Sequence, residues 1–149
     1  MKNNIFLLFI SAVVISFSLI GLACDDCDSC VDKSPTVAST TPANGATDVS
    51  VATTISITFS EPMDVTTITH NNGSSDCNGS IQILDDPPSA GCRAIFSMTI
   101  SNLNKTYTLV TSLGNSNTYV IKVTTDVKDS SNGNAMVEEF TSSFTTEPI

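Results

Sequence analysis

The chain has 149 residues, with 6 Lys or Arg and 15 Asp or Glu, so its formal net charge is −9. Such an acidic chain repels phosphate backbones, which argues against a nucleic-acid ligand, and it offers no basic patch to anionic lipids. Its length fits one modest domain.

An uncharged apolar run from Ile5 to Leu22 follows a short head that contains Lys2. A charged start, an apolar middle and small residues at the end are the pattern of an export signal. No later segment is long and apolar enough to be a second membrane span. The pattern therefore predicts a signal peptide over residues 1–23.

The end of this signal predicts a lipid anchor. Gly21 and Ala23 are small, and the thiol of Cys24 follows them directly, which suits thioether formation by a diacylglyceryl transferase. The stretch resembles a bacterial lipobox with Gly21 in the usual Leu position, a relaxed form typical of spirochaetal lipoproteins. We predict lipid attachment at Cys24, with cleavage without lipid and an uncleaved anchor as alternatives. The expected location is the cell envelope, with the outer membrane preferred, on its surface or periplasmic face.

Residues 24–35 are predicted to form an acidic, flexible tether, because they are short of large apolar groups and end in proline. Cys24, Cys27 and Cys30 are spaced like the start of an iron–sulfur motif, but no fourth cysteine follows nearby. A redox role for Cys27 and Cys30 would need a helix start beside a strand. We therefore expect neither a metal nor a cofactor in the tether.

Export to an oxidising compartment favours disulfides between the four cysteines that remain after acylation of Cys24. Three connectivities are possible. Pairing of Cys77 with Cys92 is preferred, because it closes a loop near the roughly 15-residue length for which the chain-entropy model gives about 3 kcal/mol. Cys27 and Cys30 then form a second pair or stay free.

From residue 36 onward, apolar residues alternate with Ser and Thr over short runs that turn residues separate. The runs are TTISITF (53–59), SIQIL (80–84), AIFSMTI (94–100), TYTLV (106–110), TYVIKVTT (118–125) and EEFTSSFTT (138–146). In the third run, the alternation assigns one face to Ala94, Phe96, Met98 and Ile100. About seven short strands without a helical period predict an all-β fold, an antiparallel β-sandwich over 36–149.

Two stretches of this domain resemble the bacterial Ig-like domain family, group five of that series. They are PTVASTTPANGATDVSVATTISITFSEPMD at 35–64 and TYVIKVTTDVKDSSNGNAM at 118–136, followed by a closing FTT. The resemblance implies an Ig-like sandwich, in the manner of single-domain spirochaetal surface lipoproteins. The segment from Cys77 to Cys92 resembles an insert that a cysteine pair brackets in spirochaetal members.

The motif FSEPMD makes physical sense without the family name. Phe59 is expected to be the last core residue of its strand, Pro62 to end the hydrogen-bond ladder, and Met63 to fold over the core edge. Glu61 and Asp64 are interpreted as turn-forming or capping groups. The motif comprises Phe59, Ser60, Glu61, Pro62, Met63 and Asp64.

An Asx-rich segment late in the chain raises the question of calcium, which takes six to eight oxygen ligands. Its candidate ligands are Asp126, Asp129, Asn132 and Asn134. The spacing matches no dedicated calcium loop, and Asx-rich turns commonly hydrogen-bond their own backbone. We therefore predict no metal site, with these four residues as weak candidates. Asn132-Gly133 is expected to form a turn with positive φ.

Catalysis is not indicated. His70 is the only histidine, and no G-x-S-x-G motif accompanies it. Asp85-Asp86 precedes two prolines, which indicates a solvent-exposed turn rather than a catalytic pair of carboxylates. We expect no catalytic residues and no cofactor.

Two classes of function are compatible with these features. One is a recognition or adhesion module at the cell envelope, which binds a protein or glycan through its loops or a sheet edge. The alternative is a structural scaffold or spacer without a soluble ligand. A large exposed apolar or aromatic patch would favour the first. The ligand and the oligomeric state are not predicted.

Overall fold

The structure is a computed structural model in which residues 33–72, 77–86 and 91–149 are described. These residues belong to the compact unit Asp32–Ile149. They include no helix, and so none that could cross a membrane. They form nine strands: β1 (Val37–Thr41), β2 (Ala46–Val49), β3 (Ile55–Phe59), β4 (Ile81–Asp85), β5 (Cys92–Arg93), β6 (Ile95–Ser101), β7 (Thr106–Thr111), β8 (Thr118–Val123) and β9 (Phe140–Thr146).

The strands form two sheets, as the sequence predicted for a β-sandwich. Sheet A has the order β1-β3-β7-β6 and is antiparallel throughout. Sheet B has the order β2-β9-β8-β4-β5, and its β2–β9 pair is the only parallel one among the described strands. This arrangement confirms the all-β Ig-like fold. Nine strands replace the expected seven, because β1 and β5 are edge strands without a clear apolar alternation, and β5 has only two residues.

The core lies between the sheets and follows the predicted alternation. Ile55, Ile57 and Phe59 point inward from β3 and are almost completely buried. The ring of Phe59 meets that of Tyr107 edge to face, with 5.6 Å between centroids, a favoured geometry for aromatic pairs. Sheet B contributes mainly Ile81, Ile83, Tyr119, Ile121, Val123 and Phe144.

The chain changes sheets between β1 and β2, at a turn formed by PANG (42–45). The peptide bond between Thr41 and Pro42 is cis, and Gly45 has φ 77°, which a residue without Cβ adopts freely. The Gly45 amide donates to the Ser143 carbonyl of β9 at 2.7 Å. This hydrogen bond starts the pairing of β2 with sheet B.

Tyr119, near the start of β8, fixes the connection from β7 to β8. Its ring is buried, and its hydroxyl accepts a hydrogen bond from the amide of Gly114 at 2.7 Å. A tyrosine whose hydroxyl bonds to backbone a few residues upstream is the tyrosine corner of Ig-like sandwiches.

One prediction about the core is wrong. Alternation placed Phe96 inward, but its exposed fraction is 67%, whereas Ile95 is 1% exposed. A bulge between Ile95 and Ser97 interrupts the pairing with β7. An extra residue in one strand reverses the face on which the neighbouring side chains lie. Met98 and Ile100 follow the bulge and do lie opposite the buried Leu109 and Tyr107.

Candidate functional site

The two family-like motifs meet in space at one end of the sandwich. Met63 is fully buried, as predicted, and its backbone bridges that of Asp129. The Asp64 amide donates to the Lys128 carbonyl at 2.8 Å, and the Ser130 amide donates to the Pro62 carbonyl at 3.0 Å. The motif after β3 and the loop after β8 therefore form one hydrogen-bonded structure.

Asp64 has the capping role that was predicted for it. Its Oδ1 accepts hydrogen bonds from the hydroxyl and the amide of Thr66, at 2.7 and 2.9 Å. These bonds hold the pKa of the Asp64 carboxyl below its usual value. Burial raises the pKa of the Tyr107 hydroxyl, and the negative charge of Asp64 raises it further.

The carboxylate of Asp129 is buried and organises the loop that was considered for calcium. Its Oδ1 accepts from the amides of Asn132, Ser131 and Gly133 and from the Ser131 hydroxyl. Its Oδ2 accepts from the Asn134 amide at 2.9 Å. The hydrogen bond from the Asn132 backbone amide is the main cause that lowers the pKa of Asp129 to about 2.

This geometry suits a carboxylate that closes a turn rather than a cation ligand, because amide hydrogens surround the oxygens. Gly133 has φ 77°, as expected for the turn. Asp126 lies apart from this arrangement, and its Oδ2 accepts from the Thr124 hydroxyl at 3.0 Å. Across the described ranges, no group of three or more His, Cys, Asp or Glu side chains is arranged to hold a metal.

A disulfide joins Cys77 to Cys92, the pairing that the sequence analysis preferred. Gln82 on β4 supports the same segment, because its Nε2 donates to the carbonyls of Cys77 and Gly79, both at 2.9 Å. Gly79 has φ 98°, and a Cβ there would lie 2.8 Å from the Cα of His70. The disulfide therefore braces the entry to β4. Cys24, Cys27 and Cys30 lie outside the described residues.

His70 precedes this braced segment and lies beside it, where its backbone bridges that of Ile81. Its Nδ1 is buried and has no hydrogen-bond partner among the described residues. A histidine that acts as general base is oriented by a partner on its other ring nitrogen. Asp85, the other residue considered for catalysis, forms an ion pair with Arg93 at 2.7 Å.

The outer face of sheet A is uncharged, which the sequence analysis did not anticipate. None of the residues in β1, β3, β6 and β7 is charged. Their outward positions form two cross-strand rows of hydroxyl groups, Ser39-Thr58-Thr106-Ser101 and Thr41-Ser56-Thr108-Thr99. The strands of sheet B, in contrast, carry Asp48, Asp85, Arg93 and Lys122. In a chain of net charge −9 this distribution leaves one neutral face.

Exposed apolar side chains concentrate on the hairpin of β6 and β7. Of the seven large apolar residues that are exposed in the described part, four lie here: Phe96 at 67%, Ile100 at 43%, Leu103 at 85% and Val110 at 43%. We call these four residues the hairpin patch. Such a cluster marks an interaction surface more often than a single exposed side chain does.

The backbone of the hairpin turn adds to this argument. Asn102, Leu103 and Asn104 all have positive φ, between 51° and 64°. Leucine is uncommon in this region, which costs a non-glycine residue of the order of 1 kcal/mol. The turn therefore holds the apolar side chain of Leu103 in solvent at a local cost.

Correct assignment of Phe96 to the surface would have required knowledge of the bulge.

A cavity of about 410 Å³ opens beside the first described residues. Its apolar lining comes mainly from Val37, Met136, Val137 and Phe140, and Glu138 and Glu139 also line it. Glu139 pairs with Lys122 at 3.1 Å. Val37 pairs with Phe59, so the chain enters the domain at the end where the two motifs meet.

Comparison with known proteins supports one family. A family model described as a bacterial Ig-like domain matches residues 31–146. No curated protein sequence matches the chain.

Solved structures share the fold. The S-layer protein rSbsC(31-844) superposes with a TM-score of 0.53 at 21% identity over 78% of this chain, which corresponds to 14% of that protein. CopC from Methylosinus trichosporium OB3b gives 0.52 at 18% identity over 76% of this chain and 94% of its own. E. coli alpha-2-macroglobulin gives 0.51 at 19% identity, over 82% of this chain and 7% of its own. This chain thus spans a small part of the first and third of these proteins.

Proposed function

This chain belongs to the bacterial Ig-like domain family, and on that premise we propose that it is a non-enzymatic recognition or adhesion module at the cell envelope. The observation that carries the proposal is the hairpin patch, whose four exposed apolar side chains belong to a hairpin with no charged residue in either of its strands, β6 and β7. A protein or glycan with neutral polar and apolar groups would bury the four side chains without desolvating a charge.

The proposal includes a lipid anchor at Cys24. Its support is the apolar run and the small residues before that cysteine. These residues lie outside the described part of the structure, as does the tether as far as residue 32. Acyl chains would attach the protein to a membrane, preferably the outer one.

A structural scaffold is the second candidate function. The likeness to an S-layer protein gives the fold alone at 21% identity. The specific feature that favours a scaffold is the free edge of β6 at the end of sheet A, because exposed strand edges can join further strands. The two functions differ in the partner that contacts the hairpin patch.

Proteinase treatment of intact cells is the first test. An antibody against residues 36–149 would follow this protein, and a periplasmic protein would serve as control. Loss of the domain while the control survives supports a surface role in adhesion. Protection until the outer membrane is opened would overturn surface adhesion and favour a periplasmic scaffold.

The partner surface needs a second test. Benzoylphenylalanine in place of Phe96 would be photo-crosslinked in intact cells and compared with the same residue in place of Val137, which is 77% exposed elsewhere on the domain. A product with a different macromolecule at position 96 alone supports recognition. A product of twice the chain's own mass, without any product with a different macromolecule, supports the scaffold, and equal products at both positions would exclude the hairpin patch as a specific site.

A further inference from the structure

We propose that the free edge of β6 pairs with β6 of a second copy of this chain, antiparallel about a two-fold axis at Thr99. Within the described part, β6 is the last strand of sheet A and pairs with no strand other than β7. At its start, before the stretch from Ser97 to Ser101, the Ile95 amide also donates to the Asn71 carbonyl at 2.8 Å. An edge strand presents a row of unpaired amide and carbonyl groups, which is a template for another strand.

The other sheet edges have features that oppose such pairing. β1 has a bulge between Val37 and Ser39 and is followed directly by Pro42, which has no amide hydrogen to donate. β2 is irregular and includes Asp48 with φ 54°. These devices are ones by which proteins block strand edges.

β5, the remaining edge, is blocked by its length and its contacts. It has two residues, of which Cys92 is in the disulfide and Arg93 is paired with Asp85. β6, by contrast, has seven residues without charge, proline or glycine. Its one irregularity, the bulge, precedes Ser97, and the register from Ser97 to Ser101 is continuous.

This continuous stretch, SMTIS, is nearly the same in both directions, which favours a second copy over an unrelated strand. Antiparallel pairing centred on Thr99 would place Ser97 opposite Ser101 of the other copy, and Met98 opposite Ile100. The hydroxyl groups would then share the outer face, because Ser97, Thr99 and Ser101 are all exposed there. The partly exposed Met98 and Ile100 would cover each other at the rim of the core. A two-fold axis requires such a self-complementary surface.

Charge opposes pairing at this edge less than it opposes other contacts between two copies. Two copies of a chain with net charge −9 repel each other over most approaches. Sheet A has no charged strand residue, so edge-to-edge pairing would join two neutral sheets and bring no strand carboxylates together. Pairing over five residues is a small interface and therefore weak. It would be populated where copies are concentrated, since restricting two sites to one surface raises their effective concentration.

The test is site-specific crosslinking of the full-length protein on intact cells. Thr99→Cys, made in a chain with Cys27→Ser and Cys30→Ser, would be treated with a short bismaleimide. Ser39→Cys in the same background is the matched control, since Ser39 is also an exposed hydroxyl residue on an edge strand of sheet A. We expect a crosslinked dimer at position 99 in at least several-fold excess over position 39. Equal yields at the two positions, or no dimer at position 99, would overturn the proposal.

A second measurement keeps the test independent of crosslinking chemistry. Sedimentation equilibrium of the detergent-solubilised full-length protein would compare the wild type with Thr99→Lys and Ser39→Lys. Thr99→Lys would place two like charges directly opposite each other, and we expect association at least about threefold weaker than in the wild type. Ser39→Lys should leave it unchanged. Equal association of all three proteins would contradict pairing at β6. The inference does not depend on adhesion or on a surface location, so its failure would leave the recognition proposal intact.

Discussion

The backbones of Met63 and Asp129 form an antiparallel bridge that joins the motif after β3 to the loop after β8. Met63 is buried under this bridge, and the Asp129 carboxylate holds the facing loop through amide donors. Asp64 and Asp129 therefore serve the structure of this end of the domain.

Asp129 should make folding stability depend on acid pH. Its pKa falls from an ordinary 3.8 to about 2 in the folded chain. A depressed folded pKa gives stability that is present above the unfolded value and is lost as pH falls from about 4 to about 2. Denaturant unfolding at several pH values should show this loss.

Asp129→Asn should lack that part of the acid dependence and should melt at a lower temperature than the wild type at pH 7. The asparagine side chain lacks the negative charge of the carboxylate that accepts five hydrogen bonds. Its NH2 group would also face backbone N–H groups, which are donors too. Asp64→Asn is the comparison, because Asp64 accepts two such bonds from Thr66. A melting temperature lowered more at position 64 than at 129 would contradict the central role of Asp129.

The hydroxyl groups of two buried tyrosines should differ in their contribution to stability. Tyr119→Phe removes the acceptor for the Gly114 amide, at 2.7 Å, and should lower the free energy of unfolding by about 1 kcal/mol. The Tyr107 hydroxyl is buried without a partner among the described residues, so Tyr107→Phe should be neutral or stabilising. Chemical denaturation measures both. Equal destabilisation by both changes would contradict the hydrogen-bond assignment.

The bulge in β6 can be tested by substitution at two neighbouring positions. Ile95→Ala removes a side chain that is 1% exposed and should cost about 2–5 kcal/mol. Phe96→Ser changes an exposed side chain and should alter stability by less than about 0.5 kcal/mol. Urea unfolding of the two variants would distinguish them. The reverse order of costs would restore the simple alternation.

Replacement of Cys77 and Cys92 together by serine should cost about 3 kcal/mol, the value for a loop of roughly this length. Hydrogen exchange should rise first in the described residues between the two cysteines, while the amides of β3 and β8 stay protected until global unfolding. Cys27→Ser with Cys30→Ser is the control and should change neither property. Exchange that rises in β3 at the same time would show that the disulfide supports the whole sandwich.

Cys24→Ala should move the full-length protein from the detergent phase to the aqueous phase in phase partition, because the acyl chains supply the membrane affinity. Cys27→Ala should stay in the detergent phase. Retention of the Cys24→Ala protein in that phase would exclude a lipid on Cys24 as its anchor.

The sequence by itself determined the fold class and most of the core. Alternation in TTISITF and TYTLV placed Ile55, Ile57, Tyr107 and Leu109 correctly, because a period of two fixes which side chains share a face of a strand. Turn residues located the turn near Pro42 and the loop at Gly133. These are local rules, and they apply before any two strands pair.

Tertiary structure alone decided which surfaces are neutral and which strand edge is free. Phe96 is exposed because a bulge in β6 shifts the register against β7. The bulge depends on which strand β6 pairs with, and the sequence of β6 does not specify that partner. The hydroxyl rows of sheet A combine residues from four separate strands. The sequence made Asp129 a weak candidate calcium ligand, whereas in the folded chain backbone amides donate to its carboxylate. Properties that arise from strand order and register appear only when distant segments meet.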